Sequence, residues 1–160
     1  MGRTLIVGYG NPLRCDDGLG WRAAERLAAA LGETEVEIMT CHQLTPELAE
    51  PISRATLVVF IDATQQGRAG TLFCQPIGPE VSPPCAFSHH LTPRTLLAWA
   101  QELYGACPEA VVFSVSSESF DCGEELSPPV ASALPELIER ICALVAARKS
   151  RSASSAEPQT

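Results

Sequence analysis

The sequence predicts an α/β fold of three layers, with a twisted, mostly parallel sheet of about five strands and helices on both faces. The first observation is an alternation along the chain between short apolar runs and longer segments whose apolar residues recur at helical spacing. The second is residues 57–61, Leu-Val-Val-Phe-Ile, which are continuously apolar. Such a run is typical of a strand buried on both faces of a parallel sheet.

Four further runs complete the predicted sheet. They are residues 5–9, 36–40, 71–77 and 110–115. The first is closed by the turn-forming Gly10-Asn11-Pro12. The run at 110–115 suits a central strand, whereas the run at 71–77 follows a predicted turn and suits an edge strand.

Apolar periodicity and cap signals predict the helices. They are expected at residues 19–31, from Thr45-Pro46, from Thr92-Pro93, and at residues 130–145. In the second and third, the threonine is predicted as the N-cap and the proline as the first helical residue. The third helix is predicted to bury a stripe made of Leu96, Leu97, Ala100, Leu103 and Tyr104.

A chain of 160 residues is long enough for one domain with one core. We assign residues 1–149 to a single α/β domain. Residues 150–160 are small and polar without periodicity, and they are predicted to form a disordered tail.

Composition excludes several classes of function. The net charge of -8 argues against nucleic acid or an anionic membrane as partner, since both require clustered Lys and Arg. The seven cysteines are scattered and form no Cys-x-x-Cys pair, which argues against a zinc ribbon or a dithiol redox site. Scattered thiols suit a reducing compartment, and no signal-peptide core or bilayer-spanning stretch is present in the sequence. The protein is expected in the cytoplasm.

The loop after the first strand, residues 8–20, is rich in glycine and acid. A dinucleotide-binding loop would need a third glycine where Leu13 stands, and an acid at the end of the second strand. Asp16 and Asp17 would also repel a pyrophosphate at the start of the following helix. The sequence therefore predicts no nucleotide at this loop.

Carboxylates and imidazoles follow the predicted strands, where the ligand sites of α/β sheets lie. Asp16 is predicted as a cap or loop-orienting residue and Asp17 as the acid that faces the cleft, although spacing alone barely separates them. Asp62 directly follows the strand at 57–61 and suits either a catalytic acid or a simple turn.

Histidines occur at two places near these acids. His89-His90 lies just before the third helix, and His42 follows the second strand, where packing or partner contact is the preferred role. One or two carboxylates and one imidazole suit a divalent metal such as Ni²⁺ or Zn²⁺ with open positions for substrate. No cysteine is an obvious fourth ligand in this pattern, and Cys15 is the nearest candidate.

These residues carry a resemblance to a known family. Gly8-x-Gly10-Asn11 followed by Asp16-Asp17-Gly18-x-Gly20 resembles the N-terminal signature of the hydrogenase maturation proteases. Further landmarks of that family follow in order, from a buried strand ending in Asp62-Ala63 to a histidine before an amphipathic helix. The segments 115–119 and 126–128 resemble its C-terminal region, so the resemblance covers residues 4–145.

The resemblance implies site residues one by one. In the family, two carboxylates and one histidine bind a metal that is taken to be the nickel already held by the substrate. The implied metal-binding and catalytic acids are Asp17 and Asp62, and the implied histidine is His89 or His90. His89 is preferred, because counting from it puts apolar residues at the family's apolar helix positions. The supporting loop is implied to contain Gly10, Asn11, Asp16 and Gly18.

The implied function is an aspartyl-type endopeptidase, cytoplasmic and monomeric, that activates a hydrogenase by removing the C-terminal extension of its nickel-loaded large-subunit precursor. The implied metal is nickel supplied by the substrate, or a surrogate divalent metal, with no nucleotide, nucleic acid or membrane. The segment at residues 42–48 looks most like the branch that serves bidirectional, NAD-coupled hydrogenases.

Two other functions fit the same residues. One is a protein that binds the nickel-loaded precursor as a checkpoint without cleaving it. The other is a self-contained hydrolase with its own zinc. The water-activating group is also open, since Asp17, Asp62 or the metal could serve.

Overall fold

Continuously apolar strands require cover on both faces of their sheet, and the fold provides it. The computed structural model describes residues 2–32, 36–80 and 91–155. The strands are β1 (Thr4–Tyr9), β2 (Val36–Cys41), β3 (Leu57–Thr64), β4 (Leu72–Ile77) and β5 (Glu109–Ser116). They form a five-stranded sheet in the order β2-β1-β3-β5-β4, in which β4 alone is antiparallel to its neighbour. The predicted edge position of residues 71–77 is confirmed.

Helices pack on both faces of this sheet. They are α1 (Leu19–Leu31), α2 (Ala49–Ser53), α3 (Pro93–Tyr104) and α4 (Pro128–Ser155), with short 3-10 helices at Cys15–Gly18 and Pro46–Leu48. One apolar core joins α1 and α4 to Ile6, Val59 and Phe113 of the sheet. The other joins α2 and α3 to residues of the opposite sheet face, including Val7 and Phe60. The predicted three-layer α/β fold is therefore confirmed.

The last helix is longer than the sequence indicated. Helix α4 continues to Ser155, so the prediction of a disordered tail from residue 150 is wrong for residues 150–155. Residues 156–160 lie outside the described part of the chain. Among the residues of α4 whose burial is described, through Arg151, the last buried one is Val145.

Helix α3 confirms its predicted start but not its whole stripe. The Thr92 hydroxyl accepts a hydrogen bond from the Thr95 N–H at 3.1 Å, as an N-cap does. Leu96, Leu97 and Ala100 are buried, but Leu103 and Tyr104 are 67% and 53% exposed, so their predicted burial is wrong. These two residues lie on the final turn of α3, where the helix ends at Gly105.

The second helical segment begins where it was predicted to begin. Thr45 occupies the N-cap position with an extended backbone, and Pro46 is the first helical residue. The Thr45 hydroxyl makes no capping bond, and it donates instead to the Glu47 carboxylate at 3.1 Å.

The strand order indicates where a ligand site is expected in this sheet. The chain runs from β1 outward to β2 and then crosses back to β3, so the order reverses between β1 and β3. Ligand sites of open α/β sheets lie at the carboxyl ends of the strands that flank such a reversal. Within the described residues, no helix is both long and apolar enough to cross a membrane.

Candidate active site at the ends of strands β1 and β3

Helix α1 begins directly against strand β1. A Cβ at Gly8 would lie 2.2 Å from the Gly20 carbonyl oxygen, and a Cβ at Gly20 would lie 2.6 Å from the Tyr9 nitrogen. Such distances are far below van der Waals contact, so both positions need glycine. The two glycines therefore let the intervening loop fold tightly over the end of β1.

Gly10 sits at the centre of this loop in a backbone conformation that other residues rarely adopt, with φ at +136°. A Cβ there would lie 2.1 Å from the Asp17 carbonyl oxygen. Its N–H donates to the Cys41 carbonyl at 3.0 Å, and its carbonyl accepts from Trp21 Nε1 at 2.9 Å. Strand β2 and helix α1 thus hold this one residue from opposite sides. Gly18 is the residue before α1 and packs against Pro12.

Asp16 is a fully buried carboxylate used within the protein. Its oxygens accept from the backbone N–H groups of Glu118, Ser119 and Ser127 and from the Ser127 hydroxyl, at 2.7–3.0 Å. Burial by itself would raise the pKa of Asp16, but these hydrogen bonds outweigh it and lower that pKa. Asp16 makes no helix-capping bond, so of the two predicted roles the geometry gives it the orientation of loops.

The segments held by Asp16 are those that resembled the family's C-terminal region. Ser117 donates through both its N–H and its hydroxyl to the Thr64 carbonyl, at 2.8 and 3.0 Å. The buried Ser116 hydroxyl donates to the Gln66 carbonyl. The chain after β5 therefore ties the loop after β3 to the glycine-rich loop.

Asp17 is partly exposed and held differently. One of its oxygens, Oδ2, accepts from the Asn11 N–H at 2.8 Å, and the Asn11 side chain in turn accepts from the Leu13 N–H. The adjacent aspartates therefore serve different purposes. The oxygens of Asp16 accept four hydrogen bonds from within the protein, while Asp17 accepts one and is partly exposed to solvent.

Asp62 lies on β3, not after it as the sequence indicated, because pairing with β5 continues through Thr64 opposite Ser116. Its Oδ2 accepts from the Tyr9 hydroxyl at 3.1 Å, across the point where strand order reverses. Burial raises the pKa of Asp62 to about 6, and the negative charge of Asp17 adds to this, against hydrogen bonds from Tyr9 and the Ala63 N–H. The charge of Asp17 thus acts on Asp62, and both acids are hydrogen-bonded to residues at the end of β1.

Tyr9 is the site residue that sequence reasoning missed. Burial, then the charge of Asp62 and the hydrogen bond to it, raise the pKa of the Tyr9 hydroxyl far above its usual range, so the hydroxyl remains a donor. The available signal was the only phenolic hydroxyl in the run at residues 5–9, placed at its final position.

The predicted histidines divide into two groups. His89 and His90, and with them the choice between the two as metal ligand, lie outside the described residues. His42 is exposed and meets the Trp21 ring edge to face, with ring centroids 5.6 Å apart.

Cys15 takes a positive φ of 46° and lies against Gly123. Across residues 2–32, 36–80 and 91–155, no three His, Cys, Asp or Glu side chains form a metal-binding cluster.

The fold is similar to that of proteins with solved structures. A [NiFe] hydrogenase maturation protease, HycI from Thermococcus kodakarensis, is 29% identical with a TM-score of 0.70, covering 87% of this chain and 89% of its own. The hydrogenase maturating endopeptidase HybD from Escherichia coli is 24% identical with a TM-score of 0.71, covering 92% and 93%. Neither a protein-family model nor a curated protein sequence matches the chain.

These neighbours confirm the resemblance that the sequence motifs indicated. They extend over about 90% of the chain. Each is named as a protease or an endopeptidase, which agrees with the predicted class of enzyme. The branch serving bidirectional hydrogenases stays a prediction.

Proposed function

We propose that this chain, a structural relative of the hydrogenase maturation proteases, is an endopeptidase that removes the C-terminal extension of a hydrogenase large-subunit precursor. The observation that carries the proposal is that two carboxylates, Asp17 and Asp62, are both hydrogen-bonded to residues at the end of β1, where the strand order reverses. The similarity to HycI and HybD along nearly the whole chain supports it.

The two acids suit peptide hydrolysis for a chemical reason. Hydrolysis needs a water oriented against the scissile carbonyl and a group that takes its proton. Asp17 and Asp62 each have one oxygen held by the protein, through Asn11 and Tyr9, so the pair is preorganised. Preorganised charge at the reacting centre is a large source of rate enhancement.

Recognition of the precursor is proposed to run through its nickel. Carboxylate oxygens bind divalent metals of intermediate hardness, and two of them leave coordination positions for ligands that the precursor itself supplies. Asp17 and Asp62 would hold the nickel from the protease side together with His89, or else His90. A precursor without nickel lacks this bridge and is spared.

Mass spectrometry of a precursor tests the activity. A nickel-loaded large-subunit precursor of a [NiFe] hydrogenase, incubated with the protein, should lose its C-terminal peptide. Asp17→Asn and Asp62→Asn should release no peptide while melting close to the wild type, since both acids are only partly buried. Glu25→Gln, at an exposed position on α1, is the matched control and should cleave normally.

The same experiment separates the alternatives. Release of peptide at the wild-type rate by both aspartate variants would move the active site elsewhere. Tight binding of the precursor with no change in its mass would favour the checkpoint protein. Stoichiometric zinc in the purified protein, with cleavage that is lost when the zinc is removed, would favour the self-contained hydrolase.

A further inference from the structure

The three residues at the end of β1 hold both acids of the site. The Tyr9 hydroxyl donates to Asp62 Oδ2 at 3.1 Å, and the Asn11 N–H donates to Asp17 Oδ2 at 2.8 Å. Between them, Gly10 is fixed through its N–H by Cys41 and through its carbonyl by Trp21. Residues 9–11 therefore form one rigid support that donates a separate hydrogen bond to each acid.

The donor to Asp62 is the Tyr9 side chain, and the pairing of β1 with β3 determines its position. Leu5, Val7 and Tyr9 lie on one face of β1, and Val58, Phe60 and Asp62 lie on the same face of the adjacent strand β3. Tyr9 packs at the margin of the core formed with α2 and α3. Its ring is held there by packing, so its hydroxyl reaches Asp62 from a fixed origin.

Of the two donors to the Asp62 carboxylate, the Ala63 N–H is its neighbour along the chain, so the Tyr9 hydroxyl is the donor that ties the carboxylate to another strand. We propose that Tyr9 is a positioning residue whose hydroxyl, at Asp62 Oδ2, fixes the direction in which the Asp62 carboxylate meets the substrate. This inference rests on the proposed function. It adds that the orientation of Asp62 is set from β1.

A purely space-filling role for Tyr9 would make different demands. Filling the core margin needs only the aromatic ring, which phenylalanine would supply equally well. A hydroxyl that is largely removed from water needs a partner, and its partner here is a proposed catalytic acid. Hydrogen bonds to charged groups are also the stronger class, so this bond restricts rotation of the Asp62 carboxylate.

The test replaces the hydroxyl and keeps the ring. Tyr9→Phe should lower the single-turnover rate of cleavage of nickel-loaded precursor by about 10- to 100-fold, the usual cost of losing a residue that orients a ligand. Its dissociation constant for the precursor and its melting temperature should change little. Tyr104→Phe, at the chain's other tyrosine, which is exposed on α3, should leave the rate unchanged.

A rescue variant distinguishes positioning from packing. The replacement Tyr9→4-aminophenylalanine restores an N–H donor at nearly the same place and should recover most of the rate. Wild-type cleavage by Tyr9→Phe would overturn the inference. So would a rescue variant that is folded but as slow as Tyr9→Phe.

A structural readout makes the inference independent of peptidase activity. In crystal structures, the Asp62 carboxylate should hold one orientation in the wild type and more than one in Tyr9→Phe. An unchanged single orientation in the variant would end the proposal even if the wild type cleaves. If Asp62 is released but the wild type cleaves no precursor, the proposed function fails and the positioning role stands.

Discussion

Two adjacent aspartates show how neighbouring residues of one type take opposite roles. Asp16 is 0% exposed and receives four hydrogen bonds from the segment that follows β5. Asp17 receives one, from Asn11, and keeps an open side. The number of internal donors that converge on a carboxylate decides whether it is available for chemistry. By that measure Asp16 is a structural residue inside an active-site motif.

Replacement of Asp16 should therefore act on stability first. Asp16→Asn keeps the shape but puts an amide NH₂ where oxygen now meets N–H donors. We expect a loss of about 1–3 kcal/mol for each backbone donor left unpaired, among those of Glu118, Ser119 and Ser127. Chemical denaturation of this variant beside Asp121→Asn, an exposed aspartate, measures the difference. Equal stability of the two variants would contradict a structural role.

The same carboxylate gives stability a pH dependence of known sign. The pKa of Asp16 is lower in the folded state than its ordinary value near 4. Its contribution is therefore complete above about pH 4 and is lost as the pH falls through the lower, folded-state pKa. In acid titrations of the free energy of unfolding, Asp16→Asn should lose less stability than the wild type below that pH. Parallel curves would contradict the assignment.

At the scale of elements, β1 and α1 lie in close backbone contact. It depends on Gly8 and Gly20, each of which would place a Cβ against the backbone of the other segment. Backbone cannot move aside as a side chain can. The orientation of the whole loop at residues 10–18 therefore depends on glycine, without a Cβ, at both positions.

Gly20→Ala should separate the two elements. The added methyl would lie 2.6 Å from the Tyr9 nitrogen, so we expect a loss of about 1–3 kcal/mol and reduced activity, because the loop carries Asp17. Gly78→Ala is the matched control, since a Cβ at Gly78 meets no atom within 4 Å. Thermal melts of both variants check this. A stable Gly20→Ala variant would mean that β1 and α1 can move apart freely.

The end of α4 should be dispensable. Among its residues whose side chains are described, through Arg151, the last buried one is Val145 and the last in an ion pair is Arg148, with Glu109 at the start of β5. A chain ending after Lys149 keeps both features. We expect its melting temperature to stay within about 2 °C of the full chain, the range of a surface change. A larger drop would show that residues 150–160 pack against the domain.

Sequence patterns predicted the elements better than their surroundings. Apolar runs identified the central strands β1, β3 and β5, because burial on both faces leaves a continuous signal. The edge strands β2 and β4 were also predicted, although their residues are mostly not buried. The α3 stripe was over-extended to Leu103 and Tyr104, since periodicity alone does not reveal where the neighbouring elements stop. Tyr9 was missed because its hydrogen bond to Asp62 depends on the register between β1 and β3, which local sequence does not encode.

For the molecule as a whole, the reversal of strand order explains why a site forms at all. Between β1 and β3 the connecting segments depart in opposite directions, which leaves the strand ends open. Asp62 and the support at residues 9–11 occupy that opening. An opening at this place suits the proposed recognition of a large folded precursor.

The nickel requirement can be measured on the intact protein. With equal amounts of nickel-loaded and nickel-free precursor, only the loaded form should be cleaved, because only it can bridge to Asp17 and Asp62. Mass spectrometry of both precursors after incubation gives the ratio, and metal analysis of the purified protease should show less than one equivalent of any divalent metal. Equal cleavage of the two precursors would remove nickel from the recognition step.

The support at residues 9–11 also has a kinetic consequence. Its Gly10 and Asn11 amides are bonded to Cys41 and Asp17 and continue a strand flanked by β2 and β3. Amides of this kind exchange with deuterium only when a large cooperative unit opens. We therefore expect both amides to be protected in hydrogen–deuterium exchange as strongly as amides of the central strands, so that the support keeps its geometry while the domain stays folded.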